Sequence, residues 1–407
     1  MEDSMSDTTR PSTAEQLMPQ EEMLEVARRK KKLSIGIPRE ITLEETRVSL
    51  VPDGVNLLSR QGHQVLIEVG AGESAHFSDH EYSEAGARIV YSPDEVFTSD
   101  MILKVAPPSE KEMELLQPKQ TLISALQIAV QQETYFRTLM NKKITALGYE
   151  LIRDKTQSFP VIRAMSEIAG STSIFIAAEY LANPEFGRGM MFGGFTGIGP
   201  SEVVIIGAGT VGEFAASSAI GLGALVKVFD NSVYRLRRMQ NSLGIRIFTS
   251  ILHPKVLLES IKTADAVIGA VHSMDGKSPC LISSEMIKEM KDGTIIIDVS
   301  IDQGGCFETS RPTTHSNPVF KEYGVTHYCV PNIASRVPHT ASQALNNIFA
   351  PILLDICSEG GIESLIKKDS GVRQGVYLFN GTITNMSISK SFNLPFQDID
   401  LLMAALR

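Results

Sequence analysis

The chain has 407 residues, 43% of them hydrophobic, enough to bury a sizeable core and to divide into two domains. A formal net charge of −9 leaves no broad basic face, so counterion release cannot drive nucleic-acid binding and no such partner is expected. Four widely spaced cysteines (Cys280, Cys306, Cys329, Cys357) suit neither a disulfide framework nor a zinc knuckle. They read as buried thiols in a reducing cytoplasm, with no metal site expected.

Residues 1–32 are polar and then charged, "EEMLEVARRKKK" closing the stretch, and read as a flexible, solvated tail rather than a secretory signal. Short apolar runs follow at 33–38, 64–69, 101–106, 121–126 and 143–149, separated by segments of helical spacing. A second series lies at 203–207, 225–230, 266–271, 294–299 and 325–330. Strands alternating with helices predict two Rossmann-like, doubly wound α/β domains with parallel sheets. The run 214–229 is too short and too glycine-punctuated for a membrane span, and no membrane partner is expected. Residues 339–361 carry apolar side chains at helical spacing. Such a helix can return to the first unit, which makes the first domain discontinuous, 33–160 and 339–407, around a second at 161–338.

"VVIIGAGTVGEF" places Gly207, Gly209 and Gly212 directly after a strand and before an apolar helix. Gly207 permits the tight turn, Gly209 lets a pyrophosphate reach the backbone, and Gly212 lets helix and strand approach. The helix N-terminus then offers free N–H groups to the phosphates. Asp230, at the end of the next strand, stands where a carboxylate accepts hydrogen bonds from an adenosine ribose, which favours NAD over NADP. Arg235, Arg237 and Arg238 lie nearby and argue the other way.

Lys104 lies in the apolar run "MILKVA", where an unpaired ammonium would be costly; it marks a binding site or an edge-strand lysine snorkelling to water. Arg47 sits in "PREITLEETRVSLVP". Asp298 and Asp302 follow a wholly apolar strand, with Gly304 and Gly305 turning the chain just beyond, at the strand ends where such folds bind ligands.

Together "PREITLEETRVSLVP", "LKVAPP", "AMSEIAG", "GAGTVG", "DVSIDQGGCFET" and "HYCVPNIASRVPHTAS" resemble alanine dehydrogenase, in the group that includes the nucleotide-binding part of proton-translocating transhydrogenase. The resemblance covers about residues 33–395 and implies that the first, discontinuous domain holds the substrate and the second the nucleotide. It implies an NAD-dependent oxidoreductase that interconverts L-alanine with pyruvate and ammonium, built as a cytoplasmic homo-oligomer, a hexamer or a dimer. By the same resemblance Arg47 clamps the substrate carboxylate and Lys104 reaches its carboxylate and carbonyl oxygens. Ser166, Asp230, Asp302, Asn332 and Ile333 match positions that contact NAD or border the nicotinamide. Asp302 also matches the acidic residue of active-site proton transfer; the alternative is a helix-capping aspartate.

One position departs from the pattern. Where the family reads Leu-His-Leu-Ala, this chain reads "LQIA", so Gln127 replaces the principal acid–base histidine. An amide hydrogen-bonds but does not titrate near neutral pH. Gln127 is expected to face the substrate crevice, the alternative being a core amide bonded to backbone. His272, where the family has an apolar residue, is either a compensating acid–base group or a loop histidine. A relative acting on another amine or 2-oxo acid, or a silent NAD-binding oligomer, remains open.

Overall fold

The computed structural model describes residues 32–405 apart from residues 43, 274 and 275; the tail expected at 1–32 lies, but for Lys32, outside them. The chain first forms β1 (Ser34–Ile37), β2 (Gln64–Glu68), β3 (Arg88–Val90), β4 (Met101–Leu103), β5 (Thr121–Ser124) and β6 (Thr145–Gly148), all but β3 from the first series of apolar runs. It then forms β7 (Glu202–Ile206), β8 (Leu225–Phe229), β9 (Phe248–Ser250), β10 (Ala266–Gly269), β11 (Ile295–Asp298), β12 (Val319–Glu322) and β13 (Val325–Tyr328), all but β9 and β12 from the second series. Near the C-terminus come β14 (Val376–Phe379) and β15 (Thr382–Ile383).

Each series makes its own sheet. The first runs β3-β2-β1-β4-β5-β6, all parallel, and continues into antiparallel β14 and β15. The second runs β9-β8-β7-β10-β11-β13, again parallel, with β12 antiparallel at its edge. Both parallel cores thus have the doubly wound order 3-2-1-4-5-6, reversing between β1 and β4 and between β7 and β10. All residues of β4, β5, β6, β10 and β11 are buried. Helices cover both faces, which is why these strands read as continuous apolar runs rather than alternating ones.

Five helices position the site: α1 (Pro52–Arg60), α2 (Glu110–Leu115), α3 (Pro160–Ala182), α4 (Thr210–Gly221) and α5 (Pro338–Ser358). By length and composition α3 could cross a membrane, the one such helix among the described residues. Its apolar surface packs on α4, where a Cβ at Gly170 would collide with the Val211 carbonyl oxygen, so only glycine allows this close crossing. The long C-terminal helix does return: Leu345, Phe349 and Leu353 of α5 share a core with Val55 and Leu58 of α1. Burying each such side chain stabilises by about 1.5–3 kcal/mol. Asn346 Oδ1 accepts from Val51 N–H at 3.2 Å and Ser342 Oγ from Val48 N–H at 2.9 Å, which fastens α5 to the segment after β1.

The cysteine reading needs one correction. Cys306, Cys329 and Cys357 are buried, but Cys280 is exposed, because it lies in the loop after β10 rather than beneath a helix.

Candidate functional site

The glycine turn after β7 behaves as its spacing requires. Gly207 has φ +112°, and a Cβ there would meet the Ala270 carbonyl oxygen; at Gly212 it would meet the Gly207 carbonyl oxygen. Around Gly209 there is open space. The first and third glycines therefore serve the close approach of strands and helix, while the second leaves a cradle at the start of α4. That cradle opens into a cavity of about 390 Å³ lined by Gly207, Gly209, Thr210, Asp230, Arg235 and Arg238 among others. Asp230 Oδ2 accepts from Ala208 N–H at 2.8 Å and Oδ1 from Ser232 N–H at 2.7 Å. These bonds hold its carboxylate at the cavity wall, with Arg235 Nη1 3.8 Å from Oδ2.

A second cavity, about 340 Å³, lies between the two sheets and brings Arg47, Gln127, Ser166, Asp302, Asn332 and Ile333 together. It shares Ala270, Val271 and His272 with the first, so the two cavities adjoin at the end of β10. Val161, Met165, Ala169 and Val211 form an apolar wall from α3 and α4. Gln127 follows β5 in the left-handed region (φ 46°) and is exposed. Its side-chain amide bonds to none of the described residues, so the core-amide alternative falls. Asp302 borders the cavity in the short 3-10 segment Val299–Gln303, whose N-cap is Asp298, not Asp302. Its Oδ1 accepts from Asn332 N–H at 3.2 Å, and the surrounding protein raises its carboxyl above the usual range.

Arg47 is buried and paired in a two-point contact with Glu45, Nε to Oε1 at 2.7 Å and Nη2 to Oε2 at 2.6 Å. Burial favours the neutral forms, but the pairing outweighs it: the Glu45 carboxyl is held below its usual range and the Arg47 guanidinium above its own. Glu45 also accepts from Asn332 Nδ2 at 2.8 Å and Ser335 Oγ at 3.0 Å, tying the segment after β1 to the segment entering α5. Arg47 Nη1 points toward the Met165 sulfur at 3.1 Å, on the cavity wall.

Lys104, one residue beyond β4, is fully buried and does not snorkel. Its Nζ lies 2.7 Å from Glu112 Oε1 on α2 and 3.1 Å from Glu40 Oε2. Burial pulls its pKa down, yet the two carboxylates more than restore it. Burial raises the Glu40 carboxyl, as expected where two acids share one cation.

Two family models account for most of the chain: "Alanine dehydrogenase/PNT, N-terminal domain" matches residues 36–169 and "Alanine dehydrogenase/PNT, C-terminal domain" residues 173–386. The chain belongs to the alanine dehydrogenase/PNT family. It is an oxidoreductase of the alanine dehydrogenase type. It is 39% identical over 367 residues to an alanine dehydrogenase of Staphylococcus saprophyticus, 90% of this chain and 98% of that one. It is also 39% identical over 365 residues to one of Mycolicibacterium smegmatis, 89% and 98% covered. A solved L-alanine dehydrogenase superposes with TM-score 0.84 at 35% identity, covering 89% of this chain and 99% of that one. A transhydrogenase from Sinorhizobium meliloti, 24% identical with TM-score 0.74, shares the fold over 87% of this chain and 99% of its own.

Of the residues singled out in this member of the alanine dehydrogenase/PNT family, Arg47, Gln127, Ser166, Asp302, Asn332 and Ile333 meet at one cavity, and Gly207, Gly209 and Asp230 at its neighbour. Gly212 supports the turn from behind, and Lys104 stands outside both linings. Glu45, Glu150 and Met165 are neighbours of these residues that pattern reading missed, and Gln303, from the same "IDQ" turn as Asp302, lines the second cavity. Gln303 accepts from Ser273 N–H at 2.9 Å and donates to the Ser273 carbonyl at 3.2 Å, clamping the loop that carries His272. The run "IDQGG" held that signal, because a side-chain amide beside two glycines can pair with a facing backbone.

Proposed function

We propose that this protein is an NAD-dependent alanine dehydrogenase, converting L-alanine, NAD and water to pyruvate, ammonium and NADH. The adjoining of the two cavities carries the reading. A dinucleotide laid along Gly209 with its ribose at Asp230 runs toward Ala270–His272, where the cavity holding Arg47 and Asp302 begins. Open space at Gly209 and the oriented Asp230 carboxylate fit that cofactor. When bound, the nicotinamide exchanges hydride with the substrate α-carbon.

The chain's own residues then have separable tasks. Arg47, its Nε–Nη2 edge held by Glu45, presents its Nη1 edge to the substrate carboxylate, a charge-assisted contact worth about 1.5–3 kcal/mol. Gln127 offers amide N–H groups to the carbonyl oxygen of a 2-oxo acid. Asp302, its carboxyl raised by its surroundings, handles protons beside the reacting carbon. Lys104 meets the substrate carboxylate only by exchanging Glu40 or Glu112 for it. Ser166, Asn332 and Ile333 border the nicotinamide, and the apolar wall from α3 and α4 limits water.

The substrate domain comprises 33–160 and 339–407 and the NAD domain 161–338, with β14 and β15 completing the first sheet. The protein works in the cytoplasm, where its four free thiols stay reduced. A homo-oligomer, hexamer or dimer, would cover Met191, Phe195 and Ile198, exposed at 60%, 66% and 68% around one turn. NADH oxidation in the presence of pyruvate and ammonium tests the activity; no turnover would favour another amine or 2-oxo acid, or a silent NAD-binding oligomer, for which Gln127 is the one specific argument.

A further inference from the structure

A cavity that lacks an imidazole at residue 127 still has to move protons between substrate and solvent. Asp302 stands on the nucleotide-domain side of it. On the opposite side, beside Gln127, lies Glu150, a cavity-lining carboxyl that the sequence motifs did not single out. Its Oε1 accepts from Leu126 N–H at 2.6 Å and Gln127 N–H at 3.1 Å, so the same carboxyl is rigidly attached to the turn that presents Gln127. Its buried Oε2 has no hydrogen-bond partner among the described residues. An unsatisfied buried oxygen of this kind costs about 1–3 kcal/mol unless a proton or ligand completes it. Gly148 leaves room for that oxygen, since a Cβ there would lie 3.3 Å from it.

We propose that Glu150 is a second proton-exchanging carboxyl of the substrate cavity, serving the substrate nitrogen from the Gln127 turn while Asp302 stands on the nucleotide-domain side. The proposal rests on the dehydrogenase reading above. In the direction of alanine oxidation, a substrate ammonium N–H bond breaks and its proton passes to the Glu150 carboxylate. The α C–H bond breaks with its electron pair leaving as hydride to the nicotinamide, and the nitrogen lone pair closes the C=N bond. The carboxyl then releases its proton to solvent. In the opposite direction the protonated carboxyl returns the proton to the nitrogen as the C–H bond re-forms.

The surroundings suit this role. Burial pushes the Glu150 carboxyl above the usual carboxylate range, nearer to the pH at which it must both take and give a proton. Tyr149 adjoins it in sequence, Tyr135 comes from the helix Glu133–Asn141 and Tyr377 from β14. Burial raises all three phenols, Tyr135 to about 12, so they stay neutral and leave the carboxyl as the local titrating group. Arg47, Asp302 and His272 are the charged or titratable groups lining the rest of the cavity. His272 lies beside Arg235 at the junction with the nucleotide cavity, where partial desolvation of its ring and that arginine lower its pKa.

Glu150→Gln is the discriminating variant, because a glutamine carbonyl still accepts from Leu126 and Gln127 N–H and preserves the turn. With NADH, pyruvate and ammonium the variant should lose about 10²-fold in kcat and the pH limb of the wild-type kcat/KM profile, with NADH affinity and Tm retained. Unchanged kcat and pH profile, or transfer of the limb's loss to His272→Ala, would overturn the proposal. Infrared titration gives a readout that does not need turnover. The wild-type minus Glu150→Gln difference should show a carboxyl titrating above the ordinary glutamate range and shifting when pyruvate is added. An ordinary, pyruvate-insensitive carboxyl overturns the proposal, whereas a wild type that lacks turnover but shows the shifted carboxyl sinks the dehydrogenase reading alone.

Discussion

Glu45 grips both nitrogens of one edge of the Arg47 guanidinium, at 2.7 and 2.6 Å, while the same carboxylate holds Asn332 across the cavity. The arginine is therefore oriented before any substrate arrives, and only its Nη1 edge remains toward the cavity wall. Removing Arg47 outright would leave a buried carboxylate uncompensated, so Arg47→Lys is the cleaner test. It keeps the charge and loses the fork: the KM for pyruvate should rise about tenfold or more while the NADH Kd is unchanged. An unchanged KM would place the substrate carboxylate elsewhere.

Asp230 should make the protein prefer NADH to NADPH, because its carboxylate would repel a 2′-phosphate. Arg235 and Arg238 line the same cavity, so Asp230→Ser should shift the preference toward NADPH. Calorimetry of both nucleotides on both proteins measures this. Tighter NADPH binding by the wild type would mean that the arginines dominate.

The buried Lys104 cluster makes a stability prediction. Lys104→Met leaves Glu40 and Glu112 facing each other without their cation and should destabilise by about 3–5 kcal/mol in urea denaturation. A variant of wild-type stability that fails only in pyruvate binding would instead make Lys104 purely a substrate contact.

His327 is fully buried in β13 between Thr309 and the Val325 carbonyl, and burial lowers its pKa from 6.5 to about 4. The unfolded chain binds this proton more readily, so the contribution is complete above pH 6.5 and is lost as pH falls toward 4. Over that window it amounts to about 3 kcal/mol. Denaturation series at stepped pH should show this slope in the wild type and its reduction in His327→Gln.

Much of this was legible in the sequence because buried parallel strands carry their signal locally. All ten apolar runs became strands. β3, β9 and β12 were not legible, being three or four residues long and partly exposed, and β14 and β15 join the first sheet across more than 200 residues of chain. The glycine turn could be read residue by residue, since a missing Cβ has a local cause. Partners could not: Lys104 announced that it needed a counter-charge, but Glu40 lies 64 residues earlier and Glu112 resembles an ordinary capping-box glutamate. Glu150 was hidden for the same reason, its meaning arising only where the turn at Gln127 closes over it.

Gln127→His introduces an imidazole at the turn facing the cavity, and a pH–rate limb at about 6.5 should appear with faster turnover. Stopped-flow pH profiles of the variant and wild type compare the two. No new limb in a folded, NADH-binding variant would show that residue 127 stands outside the proton path.

Steady-state oxidation of NADH by the wild type, with pyruvate and ammonium beside a panel of other 2-oxo acids, tests the central claim most directly. The expected result is turnover that requires ammonium and prefers pyruvate, at a rate below the order of 10 s⁻¹ usual for enzymes, because Gln127 does not titrate and carboxyls carry the protons. Absence of ammonium-dependent turnover with pyruvate, together with robust turnover of a different 2-oxo acid or of none, would contradict it.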